Sequence, residues 1–145
     1  MIVHPIPPLF DAESRVLILG SFPSVKSREA GFFYGHPQNR FWKVTAALFG
    51  EPVPMNTEEK RAFLLRNHLV VWDVIRSCEI TGSSDASIKN VTPNDLSVIL
   101  NAADIRQIFV NGRTAENITA ATRNRSSGGP VSAFPPRVRR TPPGT

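Results

Sequence analysis

Long apolar runs are missing from this chain, and none approaches the ~18 residues of a membrane span, so no membrane partner is expected. The opening M-I-V-H-P-I-P-P-L-F has neither a charged leader nor an unbroken apolar stretch, so no secretory signal is expected. Cysteine is nearly absent. Cys78 alone can form no internal disulfide, which suits a reducing, cytoplasmic location and a small buried apolar role for the thiol. The histidines are few and dispersed, which gives no metal-ligand pattern. A G-x-x-x-x-G-K-[ST] phosphate loop, an H-x-E with paired cysteines and a spaced Ser–His pair are all lacking. No lysine is marked as a Schiff-base nucleophile, so no lyase step is expected. Excess charge is missing from most of the chain as well. The net charge is +5, yet residues 1–122 hold 12 basic and 12 acidic side chains, and the surplus is five arginines in 123–145.

What is present centres on Val16 to Phe49. V-L-I-L at Val16–Leu19 has the pattern of a buried parallel strand, and Gly20 ends it. Ser21, Pro23 and Ser24 form a loop, and a second loop from Gly31 to Asn39 gathers Phe32, Phe33, Tyr34, His36 and Asn39. Arg40–Phe49 has helical spacing and stops at Gly50. Further along, a helix is expected from about Glu58 to Asn67, capped by Asn56 or Thr57. Strands are expected at Leu69–Ile75 and Ile105–Val110, and helices from Pro93 to Leu100 and from Arg113 to about Thr122. Residues 1–15 read as an extended lead-in, Val25–Glu29 as a short turn, and Ser83–Asn90 as a polar loop. The alternation predicts a three-layer α/β/α fold with a central parallel sheet. In such a sheet ligands sit beyond the carboxyl ends of the strands, where these loops lie. Small polar groups beside aromatics suit a flat polar ring, read at its edge and stacked on its face. Composition alone equally allows a Pro-rich turn over an aromatic mini-core.

G-S-F-P-S followed by G-F-F-Y-G-H-P-Q-N-R-F-W-K, with W-D-V-I-R-S-C-E and S-I-K-N-V-T-P-N-D-L, resembles the uracil-DNA glycosylase superfamily from about Val16 to Gly112. It is most similar to the DNA-deoxyinosine (hypoxanthine-DNA) glycosylase branch. The resemblance implies a monofunctional hydrolase that cuts the N-glycosidic bond of a deaminated base, hypoxanthine or uracil. It would act as a monomer on double- or single-stranded DNA, with no metal or organic cofactor. A single cysteine also excludes the branches that carry an iron–sulfur cluster.

The same resemblance implies roles for particular residues. The third position of the first motif usually carries an Asp or Asn that handles water; here it is Phe22, which cannot. The branch instead uses the Asn of H-P-Q-N, so Asn39 becomes the catalytic candidate. As an isolated residue at a loop–helix junction it reads first as a helix N-cap, a role that does not exclude the other. Ser21 and the backbone amides of Phe22 to Ser24 can donate to base or phosphate oxygens, or simply satisfy a tight turn. Phe33 and Tyr34 are candidates to stack on an extruded base, or core anchors. His36 can bond a base or phosphate, or be structural. Asp73 can accept from N1–H of hypoxanthine or N3–H of uracil, or be a turn residue. Ser24, Lys26 and Lys89 are candidate contacts to the DNA backbone; the plainer reading is a tight turn for Ser24 and solvated surface for Lys89, and the lysines qualify only if they share the pocket's face.

The chain reads as a glycosylase-like domain over 1–122, with the last strand and helix missing or disrupted, and a basic Pro/Gly-rich tail over 123–145. In related proteins a loop resembling L-P-S-T-S-P-A-N occupies that place. One codon choice for Val131–Thr141, read two nucleotides along, encodes L-R-L-P-S-T-S-P-A-N, which fits a shifted frame. The alternative function is then an impaired homologue that at most binds nucleic acid or nucleobases.

Overall fold

The computed structural model describes residues 1–34, 40–122 and 129–136. The elements in chain order are β1 (Ile2–Val3), β2 (Val16–Gly20), α1 (Val25–Ala30), α2 (Phe41–Phe49), α3 (Thr57–Arg66), β3 (Leu69–Asp73), β4 (Ile75–Glu79), β5 (Lys89–Pro93), α4 (Ser97–Leu100), β6 (Gln107–Val110), α5 (Arg113–Thr122) and β7 (Val131–Ala133). A four-stranded sheet has the order β3-β2-β6-β7, and every pair in it is parallel. Successive side chains of a strand point to opposite faces, and Leu17, Ile18 and Leu19 are all buried, as is every residue of β3. Both faces of the sheet are therefore covered, which is the three-layer α/β/α arrangement. Trp42, Phe63, Leu64, Ile99 and Ala115 bring the helices into the same core.

Local chemistry accounts for the boundaries. The β2 and α2 stretches form as their patterns predict, and α2 ends on Gly50 at φ 63°. Asn56 caps α3, its side chain accepting from the Glu59 amide, with Glu58 and Glu59 in the first turn. Val25–Glu29 is a full helix rather than a turn, because Ser24 accepts from the Ser27 amide and caps it.

The structure corrects several expectations. Leu69–Ile75 is not one strand. It breaks at Val74, whose amide donates to the Gly20 carbonyl at 2.9 Å, while Asn94 Nδ2 bonds the carbonyls of Asp73 and Ile75. After the break the chain enters a second sheet, β1-β4-β5, which is antiparallel. The lead-in thus contributes a strand, and Lys89 begins β5 rather than sitting in a loop. Pro93 ends β5 instead of starting a helix; α4 begins at Ser97, whose amide and hydroxyl both donate to Asp95 Oδ1. The third parallel strand begins at Gln107, two residues later than its apolar run.

The last strand, expected to be missing or disrupted, is present. β7 pairs with β6 from Ile108↔Val131 to Val110↔Ala133, flanked by Ile108 N–H to Pro130 O at 3.0 Å and Phe134 N–H to Val110 O at 2.9 Å. Its three side chains are exposed, so backbone pairing rather than burial places it. Among the described residues no helix is long and apolar enough to cross a membrane.

Candidate functional site

Chain order against sheet order puts a switch point between β2 and β6: the chain steps from β2 outward to β3, then returns to the other side for β6 and β7. Loops leaving strands at such a point diverge and open a crevice at the carboxyl ends. The crevice here is a cavity of about 250 Å³, lined by Phe22, Pro23, Ser24, Ser27, Phe33, Tyr34 and Asp73. It far exceeds the ~10–15 Å³ that one water needs.

Gly20 makes room for the polar end of this cavity. A Cβ built on it would lie 2.5 Å from Asp73 Oδ1 and 3.4 Å from the Tyr34 hydroxyl. The carboxylate cannot easily swing aside, because Asp73 Oδ2 is 2.7 Å from His4 Nε2 and both side chains are nearly fully buried. Gly20→Ala is therefore expected to destabilise the fold by about 1–3 kcal/mol through overpacking, and to displace the carboxylate. Urea unfolding checks this; an unchanged midpoint would contradict the close approach.

His4 reaches Asp73 because β1 is stapled to β4: Val3 pairs with Ser77, and the His4 amide donates to Arg76 O at 2.7 Å. Its ring sits among aromatics, edge-on to Phe22 at 5.7 Å and near Phe33 and Trp72 at 6.1 and 6.4 Å. Trp72 Nε1–H closes the nest with a bond to Ile6 O at 3.3 Å.

Tyr34 forms the opposite wall. Its backbone is left-handed at φ 50°, its ring stacks on Phe41 with centroids 4.1 Å apart, and its hydroxyl accepts from Asn111 Nδ2 at 3.1 Å. Asn111, immediately after β6, is held by the hydrogen bond that its backbone N–H donates to Leu19 O at 2.8 Å. Burial, and next the Asp73 charge, push the Tyr34 hydroxyl well above the ordinary phenol range. Tyr34 is the chain's one tyrosine, so tyrosinate absorbance reports it alone. The unfolded chain releases that proton near pH ~10 and the folded one holds it longer, so this contribution to stability is complete below about pH 10 and falls as pH rises above it. Alkaline titration should show no tyrosinate until the fold is lost; a native protein titrating near pH ~10 would contradict the burial.

A second, more open cavity of about 390 Å³ shares Tyr34 as a wall, with Arg40, Phe41, Asn111 and Phe134 among its other walls. Tyr34 thus borders both cavities.

The structure brings together Phe22, Phe33, Tyr34 and Asp73, and buries Ser21 beside them. Ser24 lines the cavity, with its hydroxyl engaged in capping α1 and in a 3.1 Å bond with the Ser27 hydroxyl. Lys26 lies on α1 and its side chain is outside the description; Lys89 is exposed on the second sheet. Asn39 and His36 fall outside the described residues. Sequence reading missed His4 and Asn111. Neither carries a local signal: one sits in a Pro-rich lead-in and the other in an Asn-Gly turn, and only the fold brings them to Asp73 and Tyr34.

With this geometry, the sequence profile of the uracil DNA glycosylase superfamily matches residues 7–139. The chain belongs to that superfamily. A protein of Methanosarcina barkeri named hypoxanthine DNA glycosylase is 32% identical over 109 residues, covering 74% of this chain and 69% of the relative. A Methanosarcina acetivorans protein of the same name is 35% identical over 117 residues, covering 79% and 74%. A solution NMR structure of a candidate uracil DNA glycosylase from M. acetivorans superposes with a TM-score of 0.75 at 31% identity, covering 91% of this chain and 82% of that one.

Proposed function

We propose that this chain is a DNA glycosylase that hydrolyses the N-glycosidic bond of hypoxanthine in DNA. The observation that carries the reading is the Asp73 carboxylate, set at one end of an aromatic-walled cavity beyond the carboxyl ends of the parallel strands. The two relatives named for hypoxanthine support it.

A base inside a duplex is out of reach, so the nucleotide must rotate out, and a single-stranded site supplies the same base at lower cost. Phe33 and Tyr34 flank the bound ring, and Asp73 accepts from its N1–H. Adenine presents a lone pair at N1, which a carboxylate repels. Uracil offers N3–H, which the same carboxylate accepts. As the C1′–N bond breaks, its electron pair goes to the base and positive charge grows on the sugar. A water positioned by Asn39 then adds to C1′, and its proton is released. The free energy comes from positioning and electrostatics, and no cofactor enters the scheme. The scheme needs one chain only, which fits action as a monomer, and a buried Cys78 thiol suits a cytoplasmic setting.

The test compares release from duplexes holding deoxyinosine or 1-methyldeoxyinosine, in which a methyl group replaces the N–H. A site built to bond that hydrogen should prefer deoxyinosine by about a hundredfold or more. Equal rates would refute the role of Asp73 in base reading.

A further inference from the structure

We propose that His4 is a positioning residue that fixes the Asp73 carboxylate as a hydrogen-bond acceptor, and so sets which bases the cavity admits. This inference rests on the functional reading above and deepens it.

The protonation pattern follows from two contacts. The Ile6 amide donates to His4 Nδ1 at 3.2 Å, so that nitrogen carries the lone pair. The ring proton therefore sits on Nε2 and points along the 2.7 Å contact to Asp73 Oδ2. Accepting at Nδ1, the ring meets Asp73 as a hydrogen-bond donor through Nε2. That donor occupies Oδ2. Oδ1 lies on the side of Gly20 and Tyr34, in the space that a Cβ on residue 20 would need.

Rigidity comes from the surroundings. The imidazole is 3% exposed, and the β1–β4 pairing sets its backbone. Phe22 and Phe33 pack against the ring and also line the cavity, so the histidine lies directly behind the cavity wall. A carboxylate held by this donor presents an acceptor, not a donor, to the bound base. That favours ring N–H edges and disfavours the N1 lone pair of adenine. The lead-in thus serves specificity although it is remote in sequence from the cavity-lining motifs.

The experiment measures single-turnover hypoxanthine release from a deoxyinosine duplex, calorimetric affinity for free hypoxanthine, and melting temperature. The variants are His4→Phe, His4→Gln, Asp73→Asn and the His4→Phe/Asp73→Asn pair. His4→Phe keeps an aromatic ring and loses the donor; release and affinity should fall about ten- to a hundredfold. His4→Gln keeps an N–H donor and should recover most of both. In the Asp73→Asn background, His4→Phe should add less than about threefold, because the two residues act as one unit.

Near-wild-type release and affinity in His4→Phe would overturn the proposal, as would equal losses in both backgrounds, the result of a purely structural role. Should His4→Phe not fold, a folded His4→Gln decides: recovery supports the proposal, and a tenfold loss overturns it. A wild-type chain that binds hypoxanthine without releasing it defeats the functional reading alone, and His4 is then judged by affinity. A chain that neither binds nor releases the base overturns both.

Discussion

Asn39→Ala is expected to slow hypoxanthine release by about a hundred- to thousandfold, the loss typical of one positioned amide in a desolvated site. The reason begins with Phe22. In the first motif this position usually handles water, but here the ring is buried against His4 and along the cavity. In the proposed scheme Asn39, in the H-P-Q-N segment, takes over that role. A helix-capping role would add a stability cost of about 0.5–2 kcal/mol. The cap position of α2 falls on Arg40, however, so that cost need not accompany the substitution. Asn39→Asp is the sharper control, because it exchanges the amide donor for a carboxylate at nearly constant size. Melting temperature measured beside single-turnover release separates fold from chemistry. A variant releasing base at near-wild-type rates would remove Asn39 from the catalytic scheme.

Asp73→Asn carries the second large expected effect, and its direction follows from His4. The Nε2–H of His4 requires an acceptor, so the new amide must turn its oxygen toward the histidine. Its NH2 then faces the base, donor against donor, when hypoxanthine enters. Release should fall by roughly a hundredfold or more, since buried polar groups on both sides lose their partners. Melting temperature should change little, because the His4 bond survives with an amide acceptor. Relative tolerance should move toward adenine, whose N1 accepts a hydrogen bond. Equal losses for every base tested would point to general disruption instead.

Much of the parallel core was legible because burial on both faces leaves an unmistakable apolar run. Val16–Leu19 formed as expected, extended by Gly20, and α2 took the helical spacing of its apolar rows. Leu69–Ile75 misled because W-D-V-I continues the apolar pattern through a kink that only tertiary bonds create: Val74 to Gly20, and Asn94 to the carbonyls on either side. The second sheet was illegible for a related reason, since a two-residue strand such as Ile2–Val3 carries no period of its own. β7 escaped notice because its side chains are exposed and only its backbone fits the edge of β6.

The site divides in the same way. Phe22, Phe33, Tyr34 and Asp73 stand in motifs and converge on one cavity. His4 reaches Asp73 and Asn111 reaches Tyr34 across 69 and 77 positions of sequence, and no local pattern announces such pairs. The capping role of Ser24 was legible as a turn function, though not the helix it begins.

The central claim is tested most directly by a single-turnover reaction of the wild-type chain with a duplex containing one deoxyinosine, followed by mass detection of the released base. The account predicts free hypoxanthine in stoichiometric amount and an intact strand that breaks only on alkaline treatment. Absence of free hypoxanthine, or strand cleavage without alkali, would contradict it.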